Sequence, residues 1–193
     1  EIVPAALKVL EHTGLSFEWD FVLAGEKAVE EYQTPVPDST IESILSNKLA
    51  LKGPLTNLVA RGWPSPNVML RKNLGLFAAV KRARYFEGVG PPFKNADLVV
   101  VREAKEDTYA GAEQQVGSDA AIAIKFITRE NSLNVANFTF DLARRLGRKK
   151  VSITHKANVL KLTDGLFLKS AQEAAQNYPD IECDSLMIDH MAF

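Results

Sequence analysis

Leu98-Val99-Val100-Val101 is an uninterrupted apolar run rich in β-branched residues and bounded by polar ones, the pattern of a strand buried on both faces. A strand of that kind needs helices to cover it, and helical patterns recur around it. Residues 129–146 place Val135, Phe138, Leu142 and Leu146 on one face, with Gly147 in the position of a C-terminal cap. Residues 151–154 read as the next strand. Residues 163–178 read as a helix with Phe167, Ala171 and Ala174 inward and Pro179 as its stop, and residues 181–188 as a final strand. This alternation predicts an α/β fold with a mainly parallel or mixed sheet flanked by helices.

The first part of the chain follows the same order. Val3, Ala6, Leu7 and Leu10 lie at helical spacing before Gly14, and Phe17, Trp19, Phe21 and Leu23 then alternate with Glu18, Asp20 and Val22 at the period of a strand. A short helix over 25–32 precedes the Pro35-Val36-Pro37 break, after which Ser39 and Glu42 have capping-box spacing for a helix to about Asn47. Residues 48–51 read as a buried strand, 52–66 as a loop, and 68–74 as a short helix. Residues 109–127 depart from the alternation: Gly111, Gly117 and the spacing of Ala120, Ile122, Ile124 and Phe126 predict a hairpin-like arm able to pair with a partner chain.

Charge is balanced, with 23 Lys and Arg against 24 Asp and Glu, so no whole-surface field favours nucleic acid or an acidic membrane. No stretch approaches the roughly 20 apolar residues of a membrane helix. The single cysteine, Cys183, excludes an intrachain disulfide and a thiolate metal cage, which fits a reducing compartment. There is no Walker A loop, and Gly88-Val89-Gly90 runs into two prolines and so fails as a dinucleotide fingerprint. Both ends read as cut, since the chain enters a helical pattern at Glu1 without a Met.

What remains is a set of cations at expected strand ends: Lys52, Arg71, Arg102 and Lys156. Guanidinium forks converging on one crevice suit a polycarboxylate, while solvated surface cations are the competing reading. Four blocks decide between them: Leu51-Lys52-Gly53-Pro54-Leu55-Thr56, Ser65-Pro66-Asn67-Val68-Met69-Leu70-Arg71-Lys72, Val101-Arg102-Glu103 through Glu106-Asp107-Thr108-Tyr109-Ala110-Gly111, and His155-Lys156-Ala157-Asn158-Val159-Leu160-Lys161. In order and interval, they resemble the isocitrate/isopropylmalate dehydrogenase family over essentially the whole chain, and Ser65 and Asn67 resemble its isocitrate branch.

The resemblance implies an isopropylmalate dehydrogenase-like α/β fold, incomplete here. Residues 1–76 would be part of a large domain and 77–193 a small domain with a clasp-like arm at about 108–127. It implies Tyr109 and Lys156 as the acid/base pair. Ser65, Asn67, Arg71, Lys81, Arg102 and Asn158 would bind a hydroxy-polycarboxylate substrate, Lys52 and Thr56 would meet NAD or NADP, and Asp189 would ligate Mg2+ or Mn2+. Lys156, Asn158 and Asp189 would act in the neighbouring subunit's site, so a homodimer with shared sites is implied, without nucleic acid or membrane. The implied reaction is oxidative decarboxylation of isocitrate, with 3-isopropylmalate or homoisocitrate as alternatives. A non-catalytic regulatory subunit or decayed relative is the competing role. A cytoplasmic location is expected, with the mitochondrial matrix as the alternative.

Several positions depart from the family pattern. Lys81-Arg82 replaces an Arg-Pro pair, residues 59–64 replace a glycine-rich loop, and Asn57 follows Thr56 in place of proline. The family's glycine-rich opening turn and its C-terminal part, with further metal carboxylates, have no counterpart between Glu1 and Phe193.

Overall fold

In a computed structural model, residues 2–56, 58–88 and 94–192 are described. Asn57 and residues 89–93, on which two of the sequence expectations rest, lie outside them. The chain divides into two compact units, residues 1–75 and 76–193.

The regular elements of the first unit among its described residues are all helices: α1 (Ile2–Glu11), α2 (Glu26–Tyr32), α3 (Asp38–Asn47) and α4 (Pro66–Asn73), with a 3-10 turn at Val59–Arg61. The strand expected over 17–23 does not form. Its period-2 pattern finds no partner strand among the described residues, and a strand without a ladder leaves its backbone unpaired. Instead α3 takes the segment: Thr40 Oγ1 donates to the Leu23 carbonyl at 2.7 Å and Ser43 Oγ donates to Asp20. The buried strand expected at 48–51 is also absent, and Leu49 is 82% exposed. The capping box fails because α3 begins two residues early: Pro37 is its N-cap, no side chain caps it, and Ser39 lies inside the helix. No residue of α1 is buried. Among the unit's described residues, buried apolar side chains include Ala28, Pro35, Val36, Leu58, Pro66 and Leu70.

The second unit begins with the antiparallel pair β1 (Ala78–Arg84) and β2 (Asp97–Glu103), in which Val80 faces Val101 across the ladder. β2 is not buried on both faces as its composition predicts. Its burial alternates, leaving Leu98 and Val100 62% and 55% exposed, because only one face is packed, through α5 (Arg129–Arg145). Phe77, just before β1, meets Phe138 of α5 edge to face at 5.6 Å.

The expected arm is a hairpin of β3 (Glu113–Val116) and β4 (Ala120–Ala123), exposed along both strands. Below it, β5 (Lys150–His155), α6 (Thr163–Ala175) and β6 (Glu182–Met187) form a parallel strand-helix-strand unit, followed by the short α7 (Ile188–Met191). The described strands thus make three two-stranded sheets rather than one continuous mixed sheet. The core lies where α5 and α6 meet β5 and β6. Ala136, Ile153, Ala171 and Ala174 form one cluster and Phe140, Ala143, Tyr178 and Ile181 another, with the Phe140 and Tyr178 rings stacked at 4.9 Å.

Candidate functional site

The candidate residues of the first unit lie on two segments. Lys52 and Thr56 are exposed on the stretch after α3, and Lys52 Nζ donates to the Gly53 carbonyl at 2.8 Å. That stretch is pinned by a close approach: a Cβ added at Gly53 would stand 2.5 Å from Cγ2 of Val3. Ser65 and Asn67 lie at the start of α4, and Arg71 lies in its last turn. Ser65 is the N-cap and its carbonyl accepts from Val68 and Met69, each at 3.0 Å, but its hydroxyl makes no capping bond. Pro66 suits the first helical position because it lacks an N–H that the helix would leave unpaired. Asn67 and Arg71, four residues apart, share one face, and Arg71 Nε donates to the Asn67 carbonyl at 3.1 Å. The hydroxyl and the amide thus stand at the N-terminal end of one short helix, where the dipole favours an anion, and the guanidinium follows one turn further along the face of Asn67.

In the second unit Lys81 is exposed on β1, opposite Val100. Arg102, near the end of β2, places its guanidinium 5.1 Å from the centre of the Tyr109 ring. Tyr109 is half-exposed on a single 3-10 turn, residues 108–110. Two residues with positive φ shape that turn: Asp107 at 65°, whose side chain accepts from the Thr108 N–H at 2.6 Å, and Gly111 at 73°.

Lys156 and Asp189 meet for a topological reason. In the parallel register His155 lies beside Met187, so the chain ends leaving β5 and β6 emerge side by side. Lys156 Nζ accordingly makes an ion pair with Asp189, at the start of α7. Asn158 is exposed in the turn just after, where the N–H groups of Val159 and Leu160 donate back to the Lys156 carbonyl at 3.0 and 2.9 Å. Among the described residues no group of three or more His, Cys, Asp or Glu is placed to hold a metal ion, so a complete metal centre is not formed around Asp189.

Sequence reasoning missed the residues that hold these turns. Lys125 reaches Asp164 Oδ1 at 2.5 Å and Asp107 Oδ2 at 3.1 Å. The other oxygen of the buried Asp164 accepts the Lys156 backbone N–H at 2.7 Å. Burial works against the charge on Asp107, but the Thr108 N–H and Lys125 outweigh it and hold the carboxyl below its ordinary range. Burial likewise opposes the Lys125 charge, and the two carboxylates overcome it and raise its pKa.

A second acidic pair, Glu103 and Glu106, ties the same segment to α5. Glu103 Oε1 accepts from the backbone of Lys105 and Glu106 and from Asn131 Nδ2, and the buried Glu106 accepts from Thr128 through both carboxylate oxygens. The available signal was a lone lysine between Ile124 and Phe126, in a stretch otherwise apolar or small.

No helix among the described residues is long and apolar enough to cross a membrane.

Comparison with known proteins gives the arrangement a family context. The profile of the isocitrate/isopropylmalate dehydrogenase family matches residues 1–193. The mitochondrial NAD isocitrate dehydrogenase catalytic subunit 5 of Arabidopsis thaliana is 37% identical over 98% of this chain and 51% of its own length. The 3-isopropylmalate dehydrogenase of Archaeoglobus fulgidus is 41% identical over 98% of this chain and 56% of its own. The crystal structure of isocitrate dehydrogenase from Methylococcus capsulatus matches at a TM-score of 0.92 and 47% identity, covering 99% of this chain and 57% of that one. The chain spans about half the length of the curated relatives it matches.

Proposed function

Because the chain belongs to the isocitrate/isopropylmalate dehydrogenase family, an oxidoreductase family, we propose that it serves the NAD(P)-dependent oxidative decarboxylation of isocitrate to 2-oxoglutarate. The observation that carries this reading is Arg102 over the Tyr109 ring: a carboxylate-binding fork stands beside a phenol able to give and take a proton. Arg102, Arg71 and Lys81 neutralise substrate carboxylates. Ser65 and Asn67 offer hydrogen bonds to a third carboxylate, the group that separates isocitrate from 3-isopropylmalate. Lys81 supplies charge without a fork, so it steers a carboxylate and does not bind it in two-point fashion.

NAD or NADP supplies the hydride acceptor, and the ammonium of Lys52 and hydroxyl of Thr56, both exposed, are donors suited to its polar and anionic groups. Lys156, as the neutral amine, accepts the hydroxyl proton as hydride leaves the carbinol carbon, which requires its ion pair with Asp189 to open and the ammonium to lose its proton to solvent before the step. The β-carboxylate departs as carbon dioxide with its bonding electrons left on the enolate, and Tyr109 protonates that carbon. Asn158 hydrogen-bonds the substrate from the turn beside Lys156. Asp189 would give one carboxylate to a Mg2+ or Mn2+ ion, but the described residues do not complete such a site, so no step is assigned to the ion.

A homodimer with shared sites goes with this reading, Lys156, Asn158 and Asp189 of one chain serving the partner's site. The exposed apolar residues of the hairpin, Val116 and Ile122 among them, support its role as a clasp. The mitochondrial name of the Arabidopsis relative supports the matrix as the alternative to the cytoplasm. The 41% identity to an isopropylmalate dehydrogenase favours 3-isopropylmalate as the second reading of the substrate.

Tyr109→Phe, in the complete natural protein, tests the assignment. It keeps the ring under Arg102 and removes the proton, so kcat should fall by about 10²–10⁴-fold with KM changed only a few-fold. Retention of kcat within about twofold would remove Tyr109 from the acid role.

A further inference from the structure

The two turns that carry Tyr109 and Lys156 are joined by a single cation. Asp107 caps the Tyr109 turn through the Thr108 N–H at 2.6 Å, and Asp164 caps the Lys156 turn through the Lys156 N–H at 2.7 Å. Lys125 touches both carboxylates, at 3.1 and 2.5 Å, with its side chain only 22% exposed. Its own position is set from the backbone on either side: Asp107 N–H donates to the Phe126 carbonyl at 2.9 Å, and Ile124 N–H to the Ala112 carbonyl at 2.9 Å. The cation therefore sits where β4 runs back from the hairpin, held between one acidic group on each turn.

Nothing local requires this placement. Either carboxylate caps its own turn through the oxygen that Lys125 does not touch. Two carboxylates facing one partly buried ammonium make a device whose parts are costly when separated, because removal of the lysine leaves two like charges without their counter-ion. Such a triad has one well-defined geometry, and the turns at its ends inherit it.

We infer that Lys125 is a positioning residue, an ionic clamp that sets the Tyr109 turn and the Lys156 turn against each other through Asp107 and Asp164. The inference deepens the proposed function, since it rests on Tyr109 and Lys156 being the proton-transfer groups. In a dimer with shared sites these two groups of one chain serve different sites, so one clamp sets a member of each. Lys125 itself touches neither substrate nor cofactor in this account.

The test uses the complete natural protein and three variants: Lys125→Met, Lys125→Arg, and Lys125→Met combined with Asp164→Asn. The double variant keeps an oxygen to accept the Lys156 N–H and removes one uncompensated buried charge, so it guards against simple loss of folding. Two readouts are taken, turnover and amide hydrogen exchange at Thr108 and Lys156. Lys125→Met and the double variant should lose about 10- to 100-fold in kcat with KM changed less, as expected for displaced reacting groups. The Thr108 and Lys156 amides should lose protection together, although the lysine bonds to neither. Lys125→Arg, which keeps the charge, should recover most of both.

Turnover of the double variant within about twofold of the parent, or unchanged exchange at Lys156 in Lys125→Met, would overturn the clamp. A parent protein that oxidises no 2-hydroxy acid would instead sink the proposed function, and the exchange data would still decide whether the clamp exists.

Discussion

The two units bury their apolar residues in different ways. In the first, four helices are joined by long irregular segments, and buried residues such as Ala28, Leu58 and Leu70 are drawn from separate elements. In the second, β5, α6 and β6 are consecutive and mutually packed against α5, and two clusters form where they meet. A strand-helix-strand unit contains its own hydrogen-bond partner and its own cover, so it can close a core by itself. A strand-like segment whose ladder partner is not at hand becomes irregular backbone tied down by side chains, as Leu23 and Asp20 are by Thr40 and Ser43.

Two phenylalanines measure that difference most sharply. Phe140 is 1% exposed and stacked on Tyr178, whereas Phe21 is 74% exposed. Phe140→Ala should cost about 3–5 kcal/mol in urea unfolding, and Phe21→Ala about 0.5 kcal/mol or less. Equal costs would break the contrast between a closed core and a tethered segment.

A smaller effect is expected at Gly53, where the first unit does pack tightly. Gly53→Ala forces a methyl against Val3, whose β-branched side chain is stiff at χ1 in a helix, and should destabilise by about 1–3 kcal/mol. The same shift displaces Lys52, so KM for the dinucleotide should rise. A neutral result in thermal unfolding and KM would show that α1 yields at no cost.

The smallest effect is electrostatic and belongs to the second unit. Arg82 and Arg148 hold Asp97 well below the usual carboxylate range, Arg144 brings Asp180 down to about 2, and Lys150 lowers Asp184. A carboxylate whose pKa is depressed by folding stabilises the fold fully above its unfolded pKa, about 4, and that contribution is lost as pH falls through the folded value. The second unit's unfolding midpoint should therefore decline gradually from about pH 4 to about pH 2, and Arg144→Met should flatten part of the decline. A midpoint independent of pH over that window would leave these pairs without a role in stability.

The same contrast explains how much could be read in advance. The helix over 129–145, the hairpin and the closing strand-helix-strand unit were legible because periodicity, cap and partner all lie within one stretch of chain. Gly147, with φ of 65°, ends α5 as a left-handed cap residue should. The segments 17–23 and 48–51 misled because alternation or an apolar run states what a residue prefers to face, not whether a neighbouring strand exists. Exposure of Leu98 and Val100 has the same origin: composition cannot tell how many faces of a sheet are covered.

At the candidate site, the individual residues are assigned through the spacing of the family blocks. Their local supports are not. The Lys156 and Asp189 pair follows from strand register, the Arg102 and Tyr109 contact from a turn with two positive φ values, and Lys125 from a hairpin that returns it to the base of that turn. Each depends on backbone geometry that no local pattern encodes.

The most direct test of the account is the formation of reduced nicotinamide by the complete natural protein, with NAD or NADP and manganese, on isocitrate and on 3-isopropylmalate in parallel. The account expects turnover of isocitrate, with kcat/KM above that for 3-isopropylmalate, because Ser65 and Asn67 meet a third carboxylate that the alkyl substrate lacks. A reversed preference would contradict the assignment of those two residues, and no oxidation of either substrate by a folded protein would contradict the dehydrogenase reading itself.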